Sequence, residues 1–403
     1  MTSRRIAGQF LWVSAGRVLG ALLQTITFVL VARNAGPVEF GLLGAAFGIA
    51  TVIQTGFDFG LSTLIVRERA TEKHNPIVTD ALRLADVNAL YLSAAAAILL
   101  LGAGLFLNPV FFMMLPLAVW VGAERQADTW LGVPLADGDA KVNTVNLVLR
   151  RAAALGLYSA MIALSVPAIL AFSVSLAMAS LASSVAVRRY VAGLIMVRRI
   201  EHGRQHIFSV ARPYWINSLG TQARNLDSAI VSAVAGPFQA GLYGVASRTT
   251  GPMRILSTSL ATVILPAAAK ASPRGVRRLV ALTLGVCLCL GILYSAIIFL
   301  TPWLVVTFLG DAYGEAVLPI QLAIGGLVFA AAASLFGSIL QGVGKQRFVA
   351  KTAVGTTIVC LLGASVGSVQ FGAIGAATGL AASFTFQALI LAIGILAWFR
   401  KSA

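Results

Sequence analysis

Apolar residues run through this chain in long blocks separated by short polar interruptions. The blocks show little period-2 alternation, and many exceed the ~18 residues of a membrane-spanning helix. The pattern predicts helices over about 8–32, 41–66, 84–107, 110–135, 142–164 and 168–187. It predicts six more over about 213–235, 241–268, 279–300, 319–341, 351–370 and 373–399. The expected fold class is therefore an all-α polytopic membrane protein with about twelve transmembrane helices. Turn residues punctuate it at Asn34–Pro37, Asn108-Pro109, Asp137-Gly138-Asp139 and Ser165–Pro167. The longest polar region, 188–212, reads as a basic linker. It separates an N-terminal six-helix lobe, 1–187, from a C-terminal six-helix lobe, 213–403. The first apolar block, about 25 residues after Arg4-Arg5, outruns a signal-peptide core and predicts a retained first helix.

One stretch occurs twice. Residues 35–46 read AGPVEFGLLGAA and residues 235–246 read AGPFQAGLYGVA. Ala35, Gly36, Pro37, Gly41, Leu42, Gly44 and Ala46 recur at an offset of 200 positions. Two related halves are the reading of such a repeat, and in transporters the binding site lies between repeats.

Composition agrees. Apolar residues are 58% of the chain and charged residues only 11%, against about a quarter in soluble domains. The net charge of +16 follows the loops, so membrane topology and not nucleic acid accounts for it. Of 30 Lys and Arg, 22 fall at the N-terminus, in the even-to-odd loops and at the C-terminus, and only Arg33 on the other side. That split predicts both termini in the cytoplasm and parallel repeats. Cys287, Cys289 and Cys360 lie in apolar runs, and His74, His202 and His206 in loops. No metal-ligand spacing, nucleotide-binding loop or nucleophile elbow is present, so no catalytic residue, metal or cofactor is expected.

Seven arginines remain inside the spans: Arg17, Arg125, Arg150, Arg151, Arg224, Arg248 and Arg254. Each costs at least ~2.5–3.5 kcal/mol at a helix centre, so they should face water, a partner or a ligand. Asn217, Thr221, Arg224 and Ser228 fall at i, i+4, i+7 and i+11, one face of a continuous helix. Asp227 is placed to pair with Arg224. The stripe reads as cavity lining, against a neutralised pair bridging helices. Ser14, Arg17 and Gln24 share a face of helix 1, and Arg17 is near enough to the end for partial snorkelling. Arg254 comes just after the helix-breaking Gly251-Pro252, and Arg248 lies nearer the outer side. Arg125 is spaced to pair with Asp128 on its own helix, beside Glu124. One of Arg150 and Arg151 is expected to snorkel to lipid phosphate. Asp58 is either an ion-coupling carboxylate or a buried hydrogen-bonded one, and Asp128 and Asp227 are further coupling candidates.

Several stretches together resemble the polysaccharide flippases of the multidrug/oligosaccharidyl-lipid/polysaccharide exporter superfamily. These are ARNAGPVEFGL at 32–42, FDFGLSTLIVRER at 57–69, Gly241-Leu242-Tyr243, Ile264-Leu265-Pro266 and FLGDAYGEAV at 308–317. Gly16-Arg17-Val18-Leu19-Gly20 is similar to a helix 1 run of lipid II flippases whose arginine lines the cavity. The apolar blocks predict no counterpart of the extra C-terminal helix pair of those flippases, so a role on lipid II is not the expected one. The resemblance implies two lobes around a central cavity and alternating access in a bacterial inner membrane. It implies transport of a polyprenyl-pyrophosphate-linked oligosaccharide for cell-surface polysaccharide biosynthesis. Arginine forks suit pyrophosphate, which assigns Arg17, Arg224, Arg254 and Arg248 to it. Ser14, Gln24, Asn217, Thr221 and Ser228 would line the cavity. The expected partners are the lipid-linked glycan, the bilayer, and a polysaccharide polymerase or assembly proteins; a monomer is expected. The rival reading is an ion-coupled exporter of cationic drugs, which would favour acidic cavity residues over the seven basic ones found.

Overall fold

The computed structural model describes residues 3–195 and 203–402, and the side chains of 3–14, 213, 216, 217, 220, 221, 262, 401 and 402 lie outside that description. Among the described residues the chain is helical, and eight helices are long and apolar enough to cross a membrane. The helices are α1 (Ser3–Asp58), α2 (Leu61–Thr71), α3 (Pro76–Phe106), α4 (Val110–Met113), α5 (Pro116–Trp130), α6 (Gly132–Ala136) and α7 (Ala140–Ala163). They continue as α8 (Ala168–Ala192), α9 (Arg204–Gln222), α10 (Asp227–Thr250), α11 (Met253–Ala269), α12 (Pro273–Leu309), α13 (Val317–Gly342) and α14 (Gln346–Ser402). Helix α1 turns at Gly36, α10 at Gly236, and α14 at Phe371-Gly372. Counting arms and rejoining broken helices returns the twelve expected segments.

The repeated glycines explain two of those turns. Gly36 has φ 76° and Gly236 φ 87°, backbone that a side chain disfavours. Each is followed by a proline, whose fixed φ suits the first turn of the next arm. The motif is thus the same helix–turn–helix device used twice.

The helices differ from the apolar blocks in informative ways. Expected helix 2 is broken at Phe59-Gly60, with φ 49° and 78°, before α2 starts. Expected helix 4 is divided into α4, α5 and α6. Expected helix 7 is interrupted by a 3-10 turn at Ala223–Leu226. Helix α12 runs through Pro302 to Leu309, so residues 302–309 are helix and not loop. The ends of the 188–212 region are helical too, in α8 and α9.

The chain forms two compact units. Unit 1 comprises 1–27 and 46–225; unit 2 comprises 28–45 and 226–403. In unit 1, α5 packs on α8 and α3, and α2 packs on α3, α6 and α9. Its core gathers Leu61, Leu64, Ile65, Ala81, Leu82, Val133, Val191 and Ala211. Phe47 stacks on Trp120 at 4.4 Å. In unit 2, α13 is central, packed on α14, α11 and α12, over Ile264, Val276, Leu335, Ile339 and Leu391.

The break at Phe59-Gly60 is seated by α9. The carbonyl of Gly56 accepts from the Trp215 indole at 2.9 Å. A Cβ on Gly60 would lie 2.5 Å from the Ala211 carbonyl oxygen and 2.8 Å from the Trp215 nitrogen. Gly60→Ala adds that backbone collision to an unfavourable φ. It is expected to destabilise by about 1–3 kcal/mol, read as a lowered melting temperature of the purified protein. An unchanged melt would show that α9 does not hold the break.

Candidate functional site

Unit 1 contains a dense intramembrane charge network organised by α5. The Asp58 carboxylate, at the end of α1, accepts from the Ser62 hydroxyl at 3.0 Å and from the Ser62 amide at 3.4 Å, in the first turn of α2. Arg125 of α5 pairs with the same carboxylate, Nε to Oδ1 at 3.0 Å, and donates to the Ser62 hydroxyl at 2.8 Å. The Arg125–Asp128 pair expected from spacing is therefore replaced by a pair across helices. Asp128 instead holds Arg150 of α7 at 2.8 Å. Glu124 holds Arg151 at 3.0 Å and Arg150 at 3.4 Å. Both arginines of α7 are thus paired with carboxylates, where one was expected to snorkel to lipid phosphate. Two carboxylates one helical turn apart collect both.

A second cluster escaped the sequence reading. Asp86 of α3 accepts from the Trp130 indole at 2.8 Å and pairs with Arg188 of α8 at 3.3 Å. Gln126 donates to Asp86 and accepts from the Ser184 hydroxyl. The signal was present in α5. Glu124, Arg125, Gln126 and Asp128 point in several directions around one helix, so carboxylates and bases must come from more than one neighbour.

Arg17 stands apart from this network. Gly16 and Gly20 seat α1 against α7, since a Cβ on Gly16 would meet the Thr144 methyl at 2.0 Å and one on Gly20 the Leu147 side chain at 3.3 Å. Arg17 is off that packing face and exposed, with no hydrogen bond or ion pair among the described residues. Gln24, two turns on, is half-buried. Arg224, also in unit 1, is half-buried within the 3-10 turn. That turn breaks the expected polar row. Four residues at about 120° each, against 100° in an α-helix, rotate the next helical segment by roughly 80°. Ser228 ends up buried beside Asp227. The side chains of Ser14, Asn217 and Thr221 lie outside the described residues.

In unit 2, Asp227 accepts from the Tyr243 hydroxyl at 2.7 Å and from the Ser228 amide at 2.6 Å. Its ligands come from a later turn of α10 and from its own neighbour, not from the expected Arg224. Arg248 donates to the Gly44 carbonyl at 3.1 Å and lies over the Phe28 ring, 4.6 Å from its centroid. The Gly251-Pro252 dipeptide separates α10 from α11 as expected, and the exposed Arg254 just beyond it lies 5.1 Å over Phe384. Aromatic faces can hold a guanidinium without consuming its charge.

The two copies of the repeat meet within unit 2. A Cβ on Gly41 would lie 1.8 Å from the Pro237 carbonyl oxygen, and one on Gly241 would lie 1.9 Å from the Pro37 carbonyl oxygen. The contact is reciprocal, as a two-fold relation between equivalent segments requires. Around it, Tyr313 donates to the Ala32 carbonyl at 3.1 Å, and Gln239 accepts from the Ala373 amide at 2.8 Å. Among the described residues no group of three His, Cys, Asp or Glu is placed to hold a metal ion.

Residues 6–121 match the family described as polysaccharide biosynthesis protein. No curated protein matches the chain. Solved structures do. The lipid II flippase MurJ in an inward closed conformation superposes with TM-score 0.70 at 13% identity, covering 97% of this chain and 90% of that one. An inward-facing multidrug resistance MATE family transporter of the MOP superfamily gives TM-score 0.68 at 14% identity, covering 94% of both chains. A MOP superfamily transporter from Pyrococcus furiosus gives 0.66 at 13% identity, covering 98% and 96%. The chain has the two-repeat fold of these transporters. The family match over 6–121 agrees with the polysaccharide-family resemblance drawn from the sequence, and the fold is shared by the MurJ and MATE structures alike.

Proposed function

We propose that this protein is a flippase that carries a polyprenyl-pyrophosphate-linked oligosaccharide from the inner to the outer leaflet of a bacterial cytoplasmic membrane. It works by alternating access, as a monomer with both termini in the cytoplasm. It supplies a polysaccharide polymerase or assembly machinery. The pyrophosphate ligands of unit 1 are Arg17 and Arg224; those of unit 2, taken by itself, are Arg248 and Arg254. Ser14, Gln24, Asn217, Thr221 and Ser228 contribute polar groups.

The observation that carries this reading is the division among arginines in unit 1. Arg125 is neutralised by Asp58 of α1, and Arg150 and Arg151 by the α5 carboxylates Asp128 and Glu124. Arg17 sits in an apolar helix, exposed and with no carboxylate partner among the described residues. An uncompensated guanidinium in a span is costly unless it serves an anion, and a diphosphate accepts its fork of N–H donors. The same division weakens the drug-exporter alternative, which the MATE likeness favours. Asp58 and Asp128 are already paired, so a cationic drug, or a coupling ion, must first displace an arginine. Asp227 is the third coupling candidate.

In a strain deleted for the gene, Arg17→Ala and Arg224→Ala are each expected to lower surface glycan at least about tenfold at normal protein level. Arg17→Lys should retain part of it. Full export by both alanine variants would sink the pyrophosphate role. Raised drug resistance on overexpression, without glycan dependence, would support the exporter.

A further inference from the structure

The two units treat their basic ends differently. In unit 1 the loop-end bases are matched by acids. Arg69 is buried against Asp137 at 2.8 Å, Arg188 reaches Asp86, and Glu68, Glu72, Asp80 and Asp139 lie in the same stretches. In unit 2 the corresponding end has no acid at all. After Asp227 the only carboxylate side chains in the sequence are Asp311 and Glu315, which lie beyond the opposite end of α12.

Ends of four helices converge there. Gly342 at the end of α13 abuts the end of α11, since its Cβ would lie 2.7 Å from the Ala268 side chain. Gly394 of α14 abuts Phe348 near the start of the same helix. Arg277 of α12 lies 5.5 Å over the Phe399 ring near the end of α14. Lys270, Arg274, Arg277 and Arg278 flank the α11–α12 connection, and all are exposed. Lys345, Arg347 and Lys351 flank the α13–α14 connection, and Arg400 closes α14; these too are exposed. The apolar skirt beneath them includes exposed Leu282, Val354, Leu396 and Ile393.

We infer that this end of unit 2 is an electrostatic docking collar for anionic phospholipid headgroups. The chemistry selects the partner. Eight exposed cations with no carboxylate among them sit directly above apolar side chains, which places them at headgroup depth. Clusters of this size beside a membrane span recruit anionic lipid. Both lysine and arginine occur along the rim, which suits a fluid layer of phosphates better than one shaped ligand. The collar belongs to unit 2 alone.

Thermal melts of the full-length protein in a neutral detergent test this. Added phosphatidylglycerol should raise the melting temperature well above the effect of equal phosphatidylcholine. The excess should shrink when NaCl is raised from about 50 to 500 mM, where screening shortens to a few ångströms. An Arg274→Gln, Arg277→Gln, Lys345→Gln, Arg347→Gln variant should lose more than half of the excess. The same four sites changed to keep charge, Arg to Lys and Lys to Arg, should retain it. A unit 1 variant, Arg67→Gln, Lys73→Gln, Lys141→Gln, should also retain it. Three results would overturn the inference: equal shifts from both lipids, equal loss in the unit 1 variant, or the same shift from inorganic phosphate alone. Should the neutralised variant not fold, the salt titration of the native protein and the charge-keeping variant still decide.

Discussion

Arg125→Met is expected to destabilise the protein by about 3–5 kcal/mol, the cost of leaving a buried charge without its partner. The Asp58 side chain is only 3% exposed and the Arg125 side chain 22%. Removing the arginine therefore strands a carboxylate that cannot reach solvent. Removing the carboxylate leaves a longer, more flexible guanidinium with access to the exterior. Arg125→Met should accordingly cost more than Asp58→Asn, although both break one pair. The double substitution should recover much of the loss, because an apolar or neutral pair needs no compensation at this depth. Melting temperatures of the three variants provide the check. Equal losses for the two single changes, adding fully in the double, would mean that the pair does not act as one unit.

Gly41→Ala and Gly241→Ala form the second test. Each new methyl would collide with a backbone oxygen of the other repeat, at 1.8 and 1.9 Å, and a backbone atom cannot swing aside as a side-chain tip can. Each change is expected to cost about 3 kcal/mol, the upper end of overpacking effects. The informative quantity is the double variant. Once one methyl has separated the two segments, the second has little left to displace. The double should fall short of the summed loss by more than about 1 kcal/mol, the behaviour of residues in contact. Additivity within about 0.5 kcal/mol would mean that the two glycines act independently.

Much of the fold is legible from periodicity. Long apolar blocks give the helices, and the doubled Ala-Gly-Pro gives two turns whose glycines indeed adopt positive φ. Interruptions inside blocks are less legible. Nothing in Ala223–Leu226 is a helix breaker, so spacing alone predicts a continuous polar row across a 3-10 turn that packing imposes. Phe59 at φ 49° likewise defies its own preference and is held there by Asp58, Trp215 and α9. Charge pairing is the least legible. Spacing along one helix proposes i+3 and i+4 partners. Arg125, Asp128 and Glu124 all find partners on other helices, because in a low-dielectric setting every charge of α5 must be met wherever its side chain points. Arg17 is the exception that the sequence singles out, with no such partner among the described residues.

The segment 28–45 is made early, yet unit 2 takes it as an integral piece. Its reciprocal partner, the second Ala-Gly-Pro, leaves the ribosome 200 residues later. At about 5–20 residues per second that is a wait of roughly 10–40 s. Through that interval an inserted hairpin holds a glycine face with nothing to close against it. Biogenesis of this protein thus depends on an orphan hairpin surviving in the lipid until the last half arrives, which makes that interval the point at which membrane quality control has the most to recognise.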